Sequence, residues 1–304
     1  MKKDNLAKTN IKQVINEYDH KMMKLTKDER EELHQEFQKL CQKGFYINIK
    51  TLPQKLQEDI WSSDMINFLS TSPAWKQSSL STKIRCAQNA SKKQKAYGKS
   101  LNCLQPVGYS SLDMADTFRC FKNLSGASLA DISKYYQQVY LNRESWPLQL
   151  LVFKDHADLQ NKVEVYVNTR LQYGVISAAT LSQIGLKLIC QYGESSCTEC
   201  QGRYSVFKSE TLSDKCGGIP HKFADSVRHL YVDDCIIKAI TQEEPKQIAQ
   251  YGTNLLGKFS YSYKGWNHAN EELQEHCVTL DDLHSMNFGG YRYQPHKDVF
   301  SLRC

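Results

Sequence analysis

The sequence predicts an α+β protein. Three observations carry this reading. An opening stretch has helical periodicity, with Val14, Ile15, Tyr18, Met22, Met23, then Leu33, Phe37, Leu40 and Cys41 set among charges. Beyond it, short β-like runs alternate unevenly with helix-like ones, without the regular βαβ beat of a doubly wound sheet. And one of the most apolar of those runs, "RHLYVDDCIIKAI", is interrupted by two adjacent aspartates, Asp233 and Asp234.

The elements follow in order. Thr26 followed by Glu29 has the form of a capping box, so residues 10–43 divide into two helices there. "QKLQEDIWSSDMINFL" predicts a third, short helix. Strands are expected over 81–86, 127–132, 148–153, 163–167 and 230–237, and helices over 132–140, 178–190 and 243–256. The Ser-, Gly- and Cys-rich stretch from Tyr192 to Pro220 reads as a long loop. The organisation expected is a helical N-terminal extension, 1–72, followed by one α+β domain, 73–304.

Composition narrows the class. With 304 residues, 40% hydrophobic and 24% charged, the chain can bury a sizeable core. No run approaches the roughly 18 apolar residues of a membrane span, and "MKKDNLAKTN" has no signal-peptide core. A soluble, intracellular protein with no membrane partner is expected. Eleven cysteines without framework spacing suit a reducing compartment. Cys197 and Cys200 form a Cys-x-x-Cys with Cys190, Cys216 and His221 nearby, a set that could hold zinc. Their spacing is irregular, and free loop cysteines are the expectation. The net charge of +6 is modest, but "KIRCAQNASKKQKAYGKS" gathers Lys83, Arg85, Lys92, Lys93, Lys95 and Lys99 without an acid. That block is either a solvated loop or a phosphate-binding surface.

Carboxylates are seldom buried unless paired or bound. Adjacent aspartates on a strand point to opposite faces, but at a hairpin tip both can reach one site. A plain turn is the competing reading, weakened by the lack of the glycine that two-residue turns favour. A third acid, Asp131 in "SLADISKYYQQVYL", closes a short apolar run and is either a metal ligand or a helix N-cap. Two-metal nucleotidyl transfer needs converging carboxylates, each hard cation taking usually one or two of them while water and substrate phosphates complete its shell. Cys235, beside the pair, reads as packing rather than nucleophile.

Six segments in order resemble the reverse transcriptase of Bel/Pao-type long-terminal-repeat retrotransposons. "ADISKYYQQVYL", "TRLQYGVISAATLSQIGLKLI" and "LYVDDCIIKA" resemble its palm motifs, and "STKIRCAQNASKKQKAYGKSLNCLQPVG" its fingers segment. "KFSYSYKGWNHANEEL" and "MNFGGYRYQPHKDVFSLR" resemble its later segments, so that coverage runs from about residue 73 to 304. The resemblance implies a right-hand polymerase fingers–palm module, with an antiparallel palm sheet flanked by helices. It implies RNA-directed DNA synthesis on a primed RNA or DNA template, using deoxynucleoside triphosphates and two Mg²⁺ ions, with Mn²⁺ as a substitute. Asp131, Asp233 and Asp234 would hold the metals, with the carbonyl of Ile132 completing a shell and Lys264 near the leaving pyrophosphate. Lys83 and Arg85 would grip the triphosphate. Tyr136 would exclude the sugar 2′-hydroxyl, Tyr173 and Gly174 would flank the nascent base pair, and Tyr231 would touch the primer end. Lys92, Lys93 and Lys95 are candidate primer–template contacts.

The chain departs from that family in three places. "CAQNAS" replaces its apolar and Phe-Asp continuation, Gln172-Tyr173-Gly174 replaces Pro-Phe-Gly, and Ala178-Ala179 replaces Ser-Pro. The resemblance leaves no room for a full thumb or ribonuclease H, so the rest of a polyprotein or a partner subunit is an implied partner. A retroelement-derived binding or scaffold protein is the alternative, and a terminal transferase or primase-like activity a third.

Overall fold

The computed structural model describes residues 3–75, 84–95, 98–105, 126–154, 162–208, 216–228, 230, 233–239, 243–268, 286–288, 291–294 and 299–302. It is an α+β chain in two units, one of residues 1–108 and 136–178, the other of 109–135 and 179–304.

In the first unit, α1 (Lys3–Met22) and α2 (Lys27–Gln42) precede β1 (Tyr46–Asn48) and α3 (Gln54–Ser62). Both halves of the capping box form at the start of α2: the Thr26 hydroxyl accepts from the Glu29 amide, and the Glu29 carboxylate accepts from the Thr26 amide. Then come β2 (Phe68–Trp75), β3 (Ile84–Asn89), β5 (Leu150–Lys154) and β6 (Val163–Asn168). They build a five-stranded sheet, ordered β1-β6-β5-β2-β3, in which only β2–β5 is parallel. The helices supply Val14, Tyr18, Leu33 and Phe37 to one core with Phe68, Leu151, Phe153 and Val167 from the strands. Phe37 and Phe153 stack at 3.7 Å between ring centroids. Side chains between Val14 and Phe68 therefore belong to the core of this unit.

The second unit contains β4 (Gly126–Ile132), α4 (Ala178–Ser195), α5 (Ile219–Arg228), β7 (Asp234–Ala239), α6 (Glu244–Gly257) and β8 (Tyr263–His268). Strands β7-β4-β8 form an antiparallel three-stranded sheet, against which α5 and α6 pack. Leu129, Ile236, Ile237, Phe223, Ile248 and Leu256 are buried there. β9 (Met286–Phe288), β10 (Tyr291–Gln294) and β11 (Val299–Leu302) make a second small antiparallel sheet. No helix among the described residues is long and apolar enough to cross a membrane.

The helix expected over 132–140 is a correction. After β4 the chain turns through Lys134 at φ 50° and makes only a short 3₁₀ turn, Tyr135–Gln138. The Ile132 amide is taken by the Asp233 carbonyl, the Ser133 amide by Ser262, and Tyr140 bridges Arg170. Beyond the turn the Val139 carbonyl accepts from the Leu171 amide and the Leu141 amide donates to the Thr169 carbonyl, which withdraws backbone groups that would have continued a helix.

Candidate active site

Asp131 lies next to last in β4, and its cross-strand partner is Asp234, the first residue of β7. Directly opposed residues of an antiparallel pair project from the same face, a few ångströms apart. Asp233 occupies the turn immediately before, with its carbonyl accepting from the Ile132 amide at 2.8 Å. Three acids are thus gathered at one end of the small sheet, with Ile132 among them. Like charges facing each other destabilise a sheet unless a cation intervenes.

The third strand supplies one. β8 pairs Tyr263 with Ile132 and Trp266 with Ala130, so Lys264 and Gly265 together oppose Asp131. This is a β-bulge, with Gly265 at φ 136°, a conformation that side-chain-bearing residues rarely adopt. The bulge turns Lys264 onto the acids: its Nζ donates to Asp131 Oδ2 at 2.6 Å. Asp131 Oδ1 is buried and has no hydrogen-bond partner among the described residues. A buried carboxylate oxygen left without a donor fits a site meant to receive a cation. The donor set is all oxygen, as Mg²⁺ or Mn²⁺ requires.

Behind the acids, Cys235 is wholly buried. Burial first, and the Asp234 charge with it, push its thiol up to about 12, against a smaller opposing hydrogen bond with Tyr263. It stays a protonated packing group at neutral pH.

The first unit holds a second group of sequence-predicted residues. Tyr136 and Tyr173 meet edge to face with centroids 4.8 Å apart. Gly174 adopts φ 86°, and a Cβ there would press on the Gln88 carbonyl at 3.2 Å. Asn102 clips this turn, donating to the Gly174 carbonyl and accepting from the Ile176 amide. Gln172 is buried beneath it, accepting from Gln137 and donating to Asn168 at 2.7 Å. The roles of Asn102 and Gln172 were not legible in the sequence. Gln172 stands where the resembling family has proline, and its buried partners are the side-chain amides of Asn168 and Gln137 and the Tyr46 hydroxyl.

Arg85 is exposed on β3, as are Lys93 and Lys95 on the turn that follows. Lys92 is paired with Glu17 of α1 at 3.0 Å, so an acid distant in sequence answers part of the basic block. Lys83 and Tyr231 lie outside the described residues. Cys197, Cys200, Cys216 and His221, read as free loop residues from their spacing, bring their ligand atoms within 4.8 Å of one another. Cys190 is buried on α4, outside that group.

No protein-family model matches the sequence, and no curated protein does. Solved structures do. The foamy viral protease–reverse transcriptase dRH in complex with double-stranded DNA matches 90% of this chain at 14% identity, with a TM-score of 0.51. The foamy viral protease–reverse transcriptase in complex with double-stranded DNA matches 90% at 14% identity and TM-score 0.50. The native prototype foamy virus enzyme matches 90% at 10% identity and TM-score 0.51. The fold is that of a reverse transcriptase. At these identities the likeness extends to the reverse-transcriptase fold alone. The chain covers 35%, 42% and 26% of the lengths of those three structures.

Proposed function

We propose that this chain is the fingers–palm part of an RNA-directed DNA polymerase of Bel/Pao-type retrotransposons, acting inside the cell on a primed RNA or DNA template. The observation that carries this reading is the Asp131–Asp234 cross-strand pair with Asp233 beside it, at the end of a three-stranded sheet in a reverse-transcriptase fold. The presence of double-stranded DNA in two of the similar structures supports a nucleic-acid partner.

In this reading Asp131, Asp233 and Asp234, with the Ile132 carbonyl, hold two Mg²⁺ ions, for which Mn²⁺ can substitute. Bound there, such ions stabilise the attacking and leaving oxygens of an in-line displacement at phosphorus. The chain's own residues position the reactants, which is most of what phosphoryl-transfer catalysis needs. Lys264 neutralises Asp131 and, once displaced, meets the charge developing on the leaving pyrophosphate. Lys83 and Arg85 grip the triphosphate, Arg85 through a planar fork suited to phosphate oxygens. Tyr136, braced by Tyr173, excludes a sugar 2′-hydroxyl, and Gly174 lets the backbone approach the nascent pair. Tyr231 contacts the primer end, while Lys92, Lys93 and Lys95 run along backbone phosphates. Residues 73–304 form the polymerase portion and 1–72 a mostly helical N-terminal extension that shares its first sheet, with the rest of a polyprotein or a partner subunit contributing the remaining grip on the duplex.

The Lys264–Asp131 and Lys92–Glu17 pairs favour a second reading, a binding or scaffold protein whose charges are already answered internally. Primer extension separates the two. With oligo(dT) on poly(rA), extension that needs Mg²⁺ or Mn²⁺ and vanishes in Asp233→Asn/Asp234→Asn establishes the polymerase. Folded chain that binds the duplex without extending it, under either metal, establishes the scaffold.

A further inference from the structure

We infer that Cys197, Cys200, Cys216 and His221 form a structural zinc site that clips the end of α4 to the start of α5, independently of the acidic site. In sequence the four read Cys-x₂-Cys-x₁₅-Cys-x₄-His. In space the Cys197 and Cys216 sulfurs are 3.8 Å apart, and Cys200 Sγ lies 3.2 Å from His221 Nε2. A disulfide would need about 2.05 Å. Tetrahedral zinc, with Zn–S of about 2.3 Å and Zn–N of about 2.0–2.1 Å, spaces its ligand atoms by roughly 3.5–3.8 Å. Cys197, Cys200 and His221 are each only 3% exposed, so solvent does not satisfy them.

The surroundings are built for a cation. His221 Nδ1 faces Glu194 Oε1 at 2.9 Å, which makes Nδ1–H the donor and leaves the Nε2 lone pair facing the sulfurs. Glu194 is 1% exposed and sits in the last turn of α4, where the helix dipole disfavours an anion. Its carboxylate also accepts from the Val206 amide and the Ser205 hydroxyl, and no lysine or arginine pairs with it among the described residues. A buried anion so placed calls for a nearby positive charge, and a carboxylate behind a ligating histidine is the usual outer support of zinc.

The backbone fits as well. After Cys200 the chain doubles back through Gln201 at φ 53° and Gly202 at φ 72°, and a Cβ on Gly202 would strike the Ser195 carbonyl at 2.8 Å. The Gly218 amide donates to Cys216 Sγ at 3.4 Å, and a Cβ on Gly218 would come within 2.8 Å of Cys197 Sγ. Amides pointed at sulfur favour the thiolate, the form that binds metal. Three thiolates with one imidazole in a closed tetrahedral shell select zinc over the hard ions that suit the carboxylates. Residues 196–208 contain no regular helix or strand, and a metal clip supplies order that a small core cannot.

The test is metal content and spectroscopy on the purified full chain. One zinc per chain is expected by mass spectrometry of the metals. It should be retained in Cys190→Ser and in Asp131→Asn, and lost in Cys197→Ser and His221→Ala. Co²⁺ added to zinc-stripped chain should give thiolate-to-metal charge-transfer absorption with tetrahedral ligand-field bands. Should the ligand variants fail to fold, Glu194→Gln keeps all four ligands, and a chelator competition should show zinc bound about 10–100-fold more weakly. Folded chain that takes up no zinc or Co²⁺ on titration overturns the inference. So does zinc that survives Cys197→Ser at full occupancy, or a Cys197–Cys216 disulfide found in protein purified with zinc.

Discussion

Lys264 Nζ sits 2.6 Å from Asp131 Oδ2 because a bulge at Gly265 places two residues of β8 opposite one of β4. This lysine answers one of three clustered acids. It therefore competes with any cation for Asp131. Both side chains are substantially solvated, 51% and 36% exposed, so the pair contributes no more than about 1 kcal/mol. Lys264→Met should accordingly tighten Mg²⁺ or Mn²⁺ binding by up to about fivefold, read by Mn²⁺ titration with electron paramagnetic resonance. The same variant should slow extension at saturating metal. Weaker metal binding in Lys264→Met would mean that the lysine organises the acids rather than competing for them.

The acids themselves should be dispensable for folding and indispensable for chemistry. Asp131→Asn removes a like-charge contact with Asp234 but leaves Lys264 without its partner, two effects of about 0.2–1 kcal/mol with opposite sign. The melting temperature should move by no more than about 4 °C, while primer extension falls by about 10³-fold or more. A large drop in stability would instead assign Asp131 a structural role.

How far these features could be read from sequence depends on whether the signal was local. The Thr26–Glu29 capping box and the period of α4 and α6 are local, and the structure repeats them. So is the apolar run with its acid pair. β2 was not legible, because Pro73 and three polar residues obscure a strand that is buried by its neighbours at Phe68–Thr71. The 3₁₀ turn after Asp131 was not legible either, since its sequence suits a helix and pairing with residues 169–171 withdraws the backbone groups that would have continued one. At the candidate site the three acids and Lys264 came from motif order, while the bulge that unites them is a property of register. The approach of Cys197, Cys200, Cys216 and His221 was not legible for the same reason: irregular spacing in sequence does not measure distance when one helix end meets the start of another.

The departure at Gln172 yields a prediction of opposite sign to consensus reasoning. Proline is the usual residue of the resembling family at this position, yet Gln172→Pro would strip Gln137 Nε2 and the Tyr46 hydroxyl of a buried acceptor, while Asn168 Oδ1 keeps the Arg170 amide. Each stranded group costs about 1–3 kcal/mol. The variant should lose about 2–5 kcal/mol in urea unfolding with an unchanged slope. A neutral or stabilised Gln172→Pro would show that the network rearranges around proline.

Tyr136 and Tyr173 hold each other edge to face, a contact of about 0.5–1.5 kcal/mol beyond burial. If Tyr136 excludes the 2′-hydroxyl, its size and its bracing both matter, and the two can be separated. Tyr136→Val should admit ribonucleotides, lowering deoxy-over-ribo discrimination in kcat/KM by about 10²-fold. Tyr173→Leu leaves the ring of Tyr136 in place without its support, so discrimination should fall by about tenfold at most, the loss of roughly one edge-to-face contact. Single-nucleotide incorporation with dTTP and UTP on the same template reads both. Equal losses in the two variants would mean that selectivity resides in the pair, and no loss in Tyr136→Val would remove this residue from the nucleotide site.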